Sequence, residues 1–154
     1  MSQGLENRIP PPLMMLATGG AMYLVSRSTA MMSLSGTFRW GAVTLYLLVA
    51  AATAVPAFRA FGKAGTTINP VKIDAASQLV TGGIYRVTRN PMYVGLTALL
   101  LALAVALSSP WTLLGPVFFV LFITRFQIIP EERVMQAKFG DAFTAYRQAV
   151  RRWL

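Results

Sequence analysis

Cysteine and histidine are both missing from this chain, and only five of its 154 residues are acidic. Their absence excludes disulfides, thiolate nucleophiles, zinc sites of the Cys/His type and histidine general acid–base catalysis. No metal centre is expected. The polar tools that remain are Asp, Glu, Lys, Arg, Tyr and backbone dipoles, which favours a reaction whose difficulty is carried by a reactive cofactor. Gly/Ser linkers and polar low-complexity tracts are also lacking, so 1–154 is expected to form a single domain. What the chain has in excess is apolar surface. Hydrophobic residues make up 55% and mean hydropathy is +0.56. Charged residues, at 12%, are about half the usual share of a soluble domain. The net charge of +9 would point to nucleic acid in a soluble chain. With this apolar excess a lipid bilayer is the better partner, and no nucleic acid is expected.

Three stretches carry no charge at all: Ile9 to Ser26, Trp40 to Phe58 and Asn90 to Thr124. The first two hold 18 and 19 residues, close to the roughly 20 needed to cross about 30 Å of hydrocarbon. The third holds 35, too long for one crossing, and Ser108-Ser109-Pro110 interrupts it. It is read as a hairpin. The expected class is an all-α integral membrane protein with four transmembrane helices in two hairpins, at about 9–26, 40–58, 91–107 and 111–129. A loop over 59–90 and a tail over 131–154 complete it. Twelve of the fourteen Lys and Arg fall on the side of the termini and central loop, and only Arg27 and Arg39 on the other. The termini and loop are therefore expected in the cytoplasm, and the membrane is read as a bacterial inner membrane. Leu13 to Val25 could instead form a signal-peptide core, but no convincing small-x-small cleavage site follows it.

Function should lie in the polar cytoplasmic parts. The central loop contains Gly62, Gly65, Asn69-Pro70 and Gly82-Gly83, turn formers that predict an irregular segment folded over the helix ends. Thr66-Thr67 belongs to a turn or bonds a ligand. In the tail, Phe143, Tyr146, Val150 and Trp153 share one helical face beside Arg147, Arg151 and Arg152, the pattern of an interfacial amphipathic helix. Asp141 after Gly140 is the expected cap between two tail helices. Arg86 and Arg89 stand just before Pro91, which can open a helix, with Tyr93 and Gly95 one turn inside. Such an end suits an anion. The plainer reading is positive-inside anchoring, with Tyr93 in the aromatic belt and Gly95 as a helix contact. Glu131-Glu132 beyond the last span repel one another and need a reason: first-turn acids, partners for arginines, or acceptors for ribose hydroxyls or a ligand cation. Arg125 is placed to orient an anionic acceptor, to snorkel, or to pair with those glutamates.

At these residues the sequence resembles the isoprenylcysteine carboxyl methyltransferase-like family of integral membrane methyltransferases, related to phospholipid methyltransferases. The resemblance lies in Leu79-Val80-Thr81-Gly82-Gly83-Ile84-Tyr85, Arg89-Asn90-Pro91-Met92-Tyr93-Val94-Gly95, Glu131-Glu132 and Phe139-Gly140-Asp141-Ala142-Phe143-Thr144-Ala145-Tyr146. It covers about Phe58 to the end. Asn90 stands where the family has histidine and Phe143 where it has tyrosine. Asn keeps a donor and an acceptor but cannot become cationic, so a cofactor hydrogen bond survives and a protonation role does not.

The resemblance implies S-adenosylmethionine bound between the central loop, the Arg-Asn-Pro helix start, the Glu-Glu segment and the tail helices, with S-adenosylhomocysteine as product. It implies Leu79, Val80, Tyr85, Arg89, Asn90, Pro91, Tyr93, Gly95, Glu131 and Glu132 as cofactor-binding residues. Within that set Arg89 and Asn90 lie near the amino-acid end and the glutamates near ribose or sulfonium. Arg125 and Glu131 are the expected catalytic residues. The acceptor is expected to be lipophilic: an isoprenylcysteine-like carboxylate, a lipid amine or a small thiol. The alternatives are a non-catalytic or cofactor-sensing four-helix membrane protein and a small exporter. An exporter of cations needs an acid inside a span, and the uncharged stretches hold none.

Overall fold

The structure is a computed structural model that describes residues 6, 8–64 and 78–154. Every regular element among them is helical. Helix α1, Pro11–Arg27, opens on prolines whose fixed φ suits the first turn. Helix α2, Gly36–Ala64, starts under Ser35, whose hydroxyl accepts the Phe38 N–H at 3.3 Å. It begins before the expected Trp40 and runs on past Arg59, so Gly62 is helical and not part of an irregular loop. A charge ends an apolar run, not a helix. The expected turns at Gly65, Thr66-Thr67 and Asn69-Pro70 lie outside the described residues.

Helix α3, Pro91–Leu107, has the expected bounds, and Ser108 reverses the chain with φ 51°. The hairpin at Ser108-Ser109-Pro110 is as expected. After a 3₁₀ turn at Pro110–Leu113 come α4 (Leu114–Ile123), a π turn (Thr124–Ile128) and α5 (Ile129–Ala149). They follow without a break, so the helical rod continues beyond Pro130. The π turn has a local cause. Pro130 has no N–H to give to the carbonyl four residues back, and the Ile129 N–H bonds the carbonyl of Thr124, five residues back. Gln127 in this turn is buried and its Nε2 donates to Ile9 O at 2.8 Å.

The break expected at Gly140 is present, with φ 51° and ψ −124° inside α5. Only glycine adopts that region readily. The joint is fastened by Gln136, whose Nε2 donates to Gly140 O at 3.0 Å and to Thr144 Oγ1 at 2.9 Å, while Asp141 is exposed and takes no part. Gly140 has a long-range consequence. A straight helix would carry residue 152 about 30 Å from residue 132, yet Arg152 Nη2 sits 2.7 Å from Glu132 Oε2. The reversal brings the tail back. Gly140→Ala is therefore expected to cost about 1–3 kcal/mol, read as a lower melting temperature, and to speed tryptic cleavage at Arg147, Arg151 and Arg152.

Helix α3 is central, packed along α2 and touching α1 and α4. The core joins Met22, Tyr93, Leu100, Ala104, Phe119, Ile123 and Ile128. Thr18, Thr53, Thr112, Gln127 and Glu132 are buried while Leu16, Leu24, Leu48, Phe118 and Leu121 are each more than half exposed. Water would penalise that distribution and hydrocarbon favours it. Among the described residues two helices are long and apolar enough to cross a membrane: Gly36–Ala60 and the rod that begins at Pro110. Pro91–Leu107 is a shorter apolar one.

Candidate active site

A cavity of about 590 Å³ lies at the end of the bundle, where α3 and α5 begin. Its polar end is built from three segments. Leu79, Val80 and Tyr85 form one wall, Arg89 to Tyr93 a second, and Glu131, Glu132 and Met135 a third. Phe143 and Tyr146 close it from the tail. All ten residues expected to bind a cofactor line this one cavity: Leu79, Val80, Tyr85, Arg89, Asn90, Pro91, Tyr93, Gly95, Glu131 and Glu132. Arg125 does not. Its Nη1 lies 3.1 Å from Glu6, a glutamate other than Glu131 or Glu132, and its guanidinium rests over Phe126. Glu6 also reaches Arg133 at 3.5 Å.

The adjacent glutamates have different surroundings. Glu132 Oε1 accepts from Arg89 Nη2 at 2.6 Å and Arg152 Nε at 3.0 Å, and Oε2 accepts from Arg152 Nη2 at 2.7 Å. Burial pushes its carboxyl up, but the hydrogen bonds and charges of Arg152 and Arg89 outweigh this and hold it below the usual carboxylate range. Glu131 has no such cation. It accepts the Tyr93 hydroxyl at 2.5 Å. Burial, with the charge of Glu132 adding, pushes it to about 7, against the opposing Tyr93 hydrogen bond. The cations favour the charged form of Glu132, whereas Glu131 titrates at about 7. Tyr146 donates to Tyr85 O at 2.7 Å, and burial raises the phenols of both, that of Tyr146 to about 12, so both stay neutral.

Arg89 and Asn90 do more than face the cavity. Helix α5 ends at Ala149 and leaves carbonyls without partners. Arg89 Nη1 donates to Arg147 O at 3.0 Å and Val150 O at 2.9 Å, and its backbone N–H to Arg151 O at 3.0 Å. Asn90 Nδ2 donates to Arg152 O at 2.9 Å and Thr88 Oγ1 to the same carbonyl at 3.3 Å. The segment before α3 thus caps the end of α5, with a cation where the helix dipole favours one. Asn90 is spent on the tail and caps nothing in α3, whose own first turn has no side-chain cap. Gly95 lines the cavity and is also a close helix contact, since a Cβ there would meet Thr53 Oγ1 at 3.2 Å and Ala50 O at 3.3 Å.

The tail differs from the interfacial helix expected. Its aromatic face turns inward: Phe143 is buried, Tyr146 bonds Tyr85 and Trp153 Nε1 donates to Thr124 Oγ1 at 3.2 Å. Sequence reading missed Arg152, Met135 and the α2 wall of Ala50, Ala51, Ala54 and Phe58. For Arg152 the signal existed, because two adjacent acids at a membrane boundary require a cation.

The sequence model of the phospholipid methyltransferase family matches residues 37–142, more than two thirds of the chain. The chain belongs to that family. It is the family of the isoprenylcysteine carboxyl methyltransferase-like membrane enzymes that the motifs resemble. An uncharacterized protein of Haemophilus influenzae is 44% identical over 63 residues, 41% of this chain and all of that protein. No solved structure matches the chain. Phospholipid methyltransferase membership fits the apolar exterior and the two long apolar helices, and makes the chain an integral membrane protein of a methyl-transferring family. The match ends at residue 142, so Arg147 to Arg152, which complete the polar cluster, lie beyond it.

Proposed function

We propose that the cavity binds S-adenosylmethionine and that the chain passes its methyl group to a lipophilic acceptor at the cytoplasmic membrane face. The acceptor is an isoprenylcysteine-like carboxylate, a lipid amine or a small thiol. The observation that carries this reading is the two-ended cavity. All ten motif residues line it, and away from the polar cluster it reaches Leu47, Phe58 and Leu99, which are 47%, 54% and 37% exposed on the apolar outer surface. Leu99 lies about 12 Å along α3 from Pro91, so the opening faces hydrocarbon and a lipid can enter sideways. In this reading α1, α2, α3 and Pro110 to Ile129 each cross the bilayer, with both termini, the loop and the tail in the cytoplasm of a bacterial inner membrane.

The residues fit the cofactor's chemistry. Arg89 Nε is buried without a partner, and the uncapped first turn of α3 supports an anion; together they suit a carboxylate. Glu131 keeps one oxygen unbonded for ribose hydroxyls or a sulfonium charge, and Leu79, Val80 and Phe143 offer apolar wall for a flat base. The volume lies inside the range of small-molecule sites, roughly 300–1,000 Å³. When bound, S-adenosylmethionine supplies an activated methyl electrophile, which leaves the chain to align the acceptor and exclude water. A carboxylate acceptor needs no base. For an amine or thiol, Glu131 beside Tyr93 takes the proton.

That role fixes a pH dependence. Below about pH 7 Glu131 is protonated and cannot act as a base, so transfer to an amine or thiol is expected to rise as pH passes through about 7. The same raised pKa works against folding in the other direction. The folded state holds this proton more tightly than the unfolded chain, so the contribution to stability is full below the ordinary value of 4.5 and is lost as pH rises through about 7. Initial rates from pH 5.5 to 9 on the protein in lipid nanodiscs check the first statement. The proposed function is tested with methyl-tritiated S-adenosylmethionine and a bacterial lipid extract. Label partitioning into the organic phase with wild type and not with Glu131→Ala/Glu132→Ala supports it; no transfer to carboxylate, lipid amine or thiol acceptors overturns it.

A further inference from the structure

We infer that Arg152 is a positioning residue of the cofactor site, acting through Glu132 and not on the ligand itself. The inference rests on the cofactor reading given above. Arg152 is absent from the cavity wall, whereas Glu132 is part of it. Its guanidinium meets Glu132 edge-on, Nε to Oε1 at 3.0 Å and Nη2 to Oε2 at 2.7 Å. Such a two-point fork fixes the plane of a carboxylate as well as its charge. Arg89 takes Oε1 as well. A carboxylate offers about four acceptor directions, so three are occupied and one, on Oε2, is left for a ligand hydroxyl or ammonium. Without the fork, Glu132 pivots about its contact to Arg89 and that direction is no longer set.

The position of Arg152 is itself built by the fold. The Gly140 reversal returns the tail, and Arg89, Asn90 and Thr88 hold the carbonyls of Arg147, Val150, Arg151 and Arg152. These contacts bracket one side chain over one carboxylate. The neighbouring Arg151 contributes only its carbonyl and its side chain is exposed, which makes Arg151→Gln the matched control.

The test is a double-mutant cycle read as S-adenosylhomocysteine affinity by calorimetry on the full chain in nanodiscs. Arg152→Gln is expected to weaken binding about tenfold, the low end for losing a residue that orients a binding side chain. In the Glu132→Gln background the same change is expected to cost nothing further, because the residue it acts through is gone. Where binding to Glu132→Gln is too weak for calorimetry, the melting-temperature shift at millimolar S-adenosylhomocysteine gives the same comparison. Arg152→Lys, a single donor point in place of a fork, falls between, and Arg151→Gln binds as wild type. Wild-type affinity in Arg152→Gln, or an equal loss in both backgrounds, overturns the inference, the latter assigning Arg152 to direct contact or to tail packing alone. A folded wild type that binds no S-adenosylhomocysteine overturns the cofactor reading and this inference with it.

Discussion

Arg89→Ala is expected to abolish cofactor binding and to lower the stability of the folded chain by about 3–5 kcal/mol, the cost of breaking a buried ion pair by removing one partner. The magnitude follows from what Arg89 holds. Its side chain is 9% exposed and that of Glu132 11%. Truncation leaves that carboxylate with Arg152 alone and strips the carbonyls of Arg147 and Val150 of their donors. Because the tail closes the cavity, loss of the clamp also opens the site. Thermal unfolding in detergent measures the first effect and S-adenosylhomocysteine titration the second. A stable Arg89→Ala variant with an intact tail would contradict the clamp. Arg89→Lys, which keeps a charge but not three simultaneous bonds, is expected to recover only part of the stability.

Glu131→Gln is expected to slow methyl transfer to an amine or thiol by about 10²- to 10⁴-fold, the usual contribution of a positioned general base. Gln keeps the shape of the side chain and an oxygen for the Tyr93 hydroxyl, so binding weakens far less than turnover. The rise in rate through about pH 7 disappears with it. The effect separates Glu131 from its neighbour. Glu132 is paired with two arginines that favour its charged form, so Glu132→Gln is expected to act on affinity and stability and to leave the shape of the pH profile unchanged. Equal kinetic behaviour of the two variants would contradict the division of roles.

Much of this was legible in the sequence because hydrocarbon imposes simple rules. Uncharged runs marked helices, and Ser108-Ser109-Pro110 marked the hairpin to the residue. An apolar run does not fix where a helix ends, as α2 continues beyond Arg59 and the last rod beyond Pro130. The motif residues were found, and the structure brings ten of the eleven together. Arg125 pairs with Glu6, 119 residues away, and no local pattern announces such a pair. The periodicity of the tail predicts a face for the membrane interface and for packing against the loop, and Tyr146 does bond the loop carbonyl of Tyr85. Periodicity identifies a face but not what covers it, and the positive φ of Gly140 turns Phe143, Tyr146 and Trp153 onto the protein. The π turn had a visible cause in Pro130, but whether a proline kinks, ends or widens a helix depends on its surroundings, here Gln127 tied to Ile9.

One cavity joins the segment before α3, the start of α5 and the returning tail, and in the proposed function it holds S-adenosylmethionine. Calorimetric titration of S-adenosylhomocysteine into purified protein tests it most directly, with Glu131→Ala/Glu132→Ala as the folded control. Micromolar binding at one site per chain, lost in the double variant, is the expected result. No binding to a folded wild type in either nanodiscs or detergent, or undiminished binding to the double variant, would contradict it.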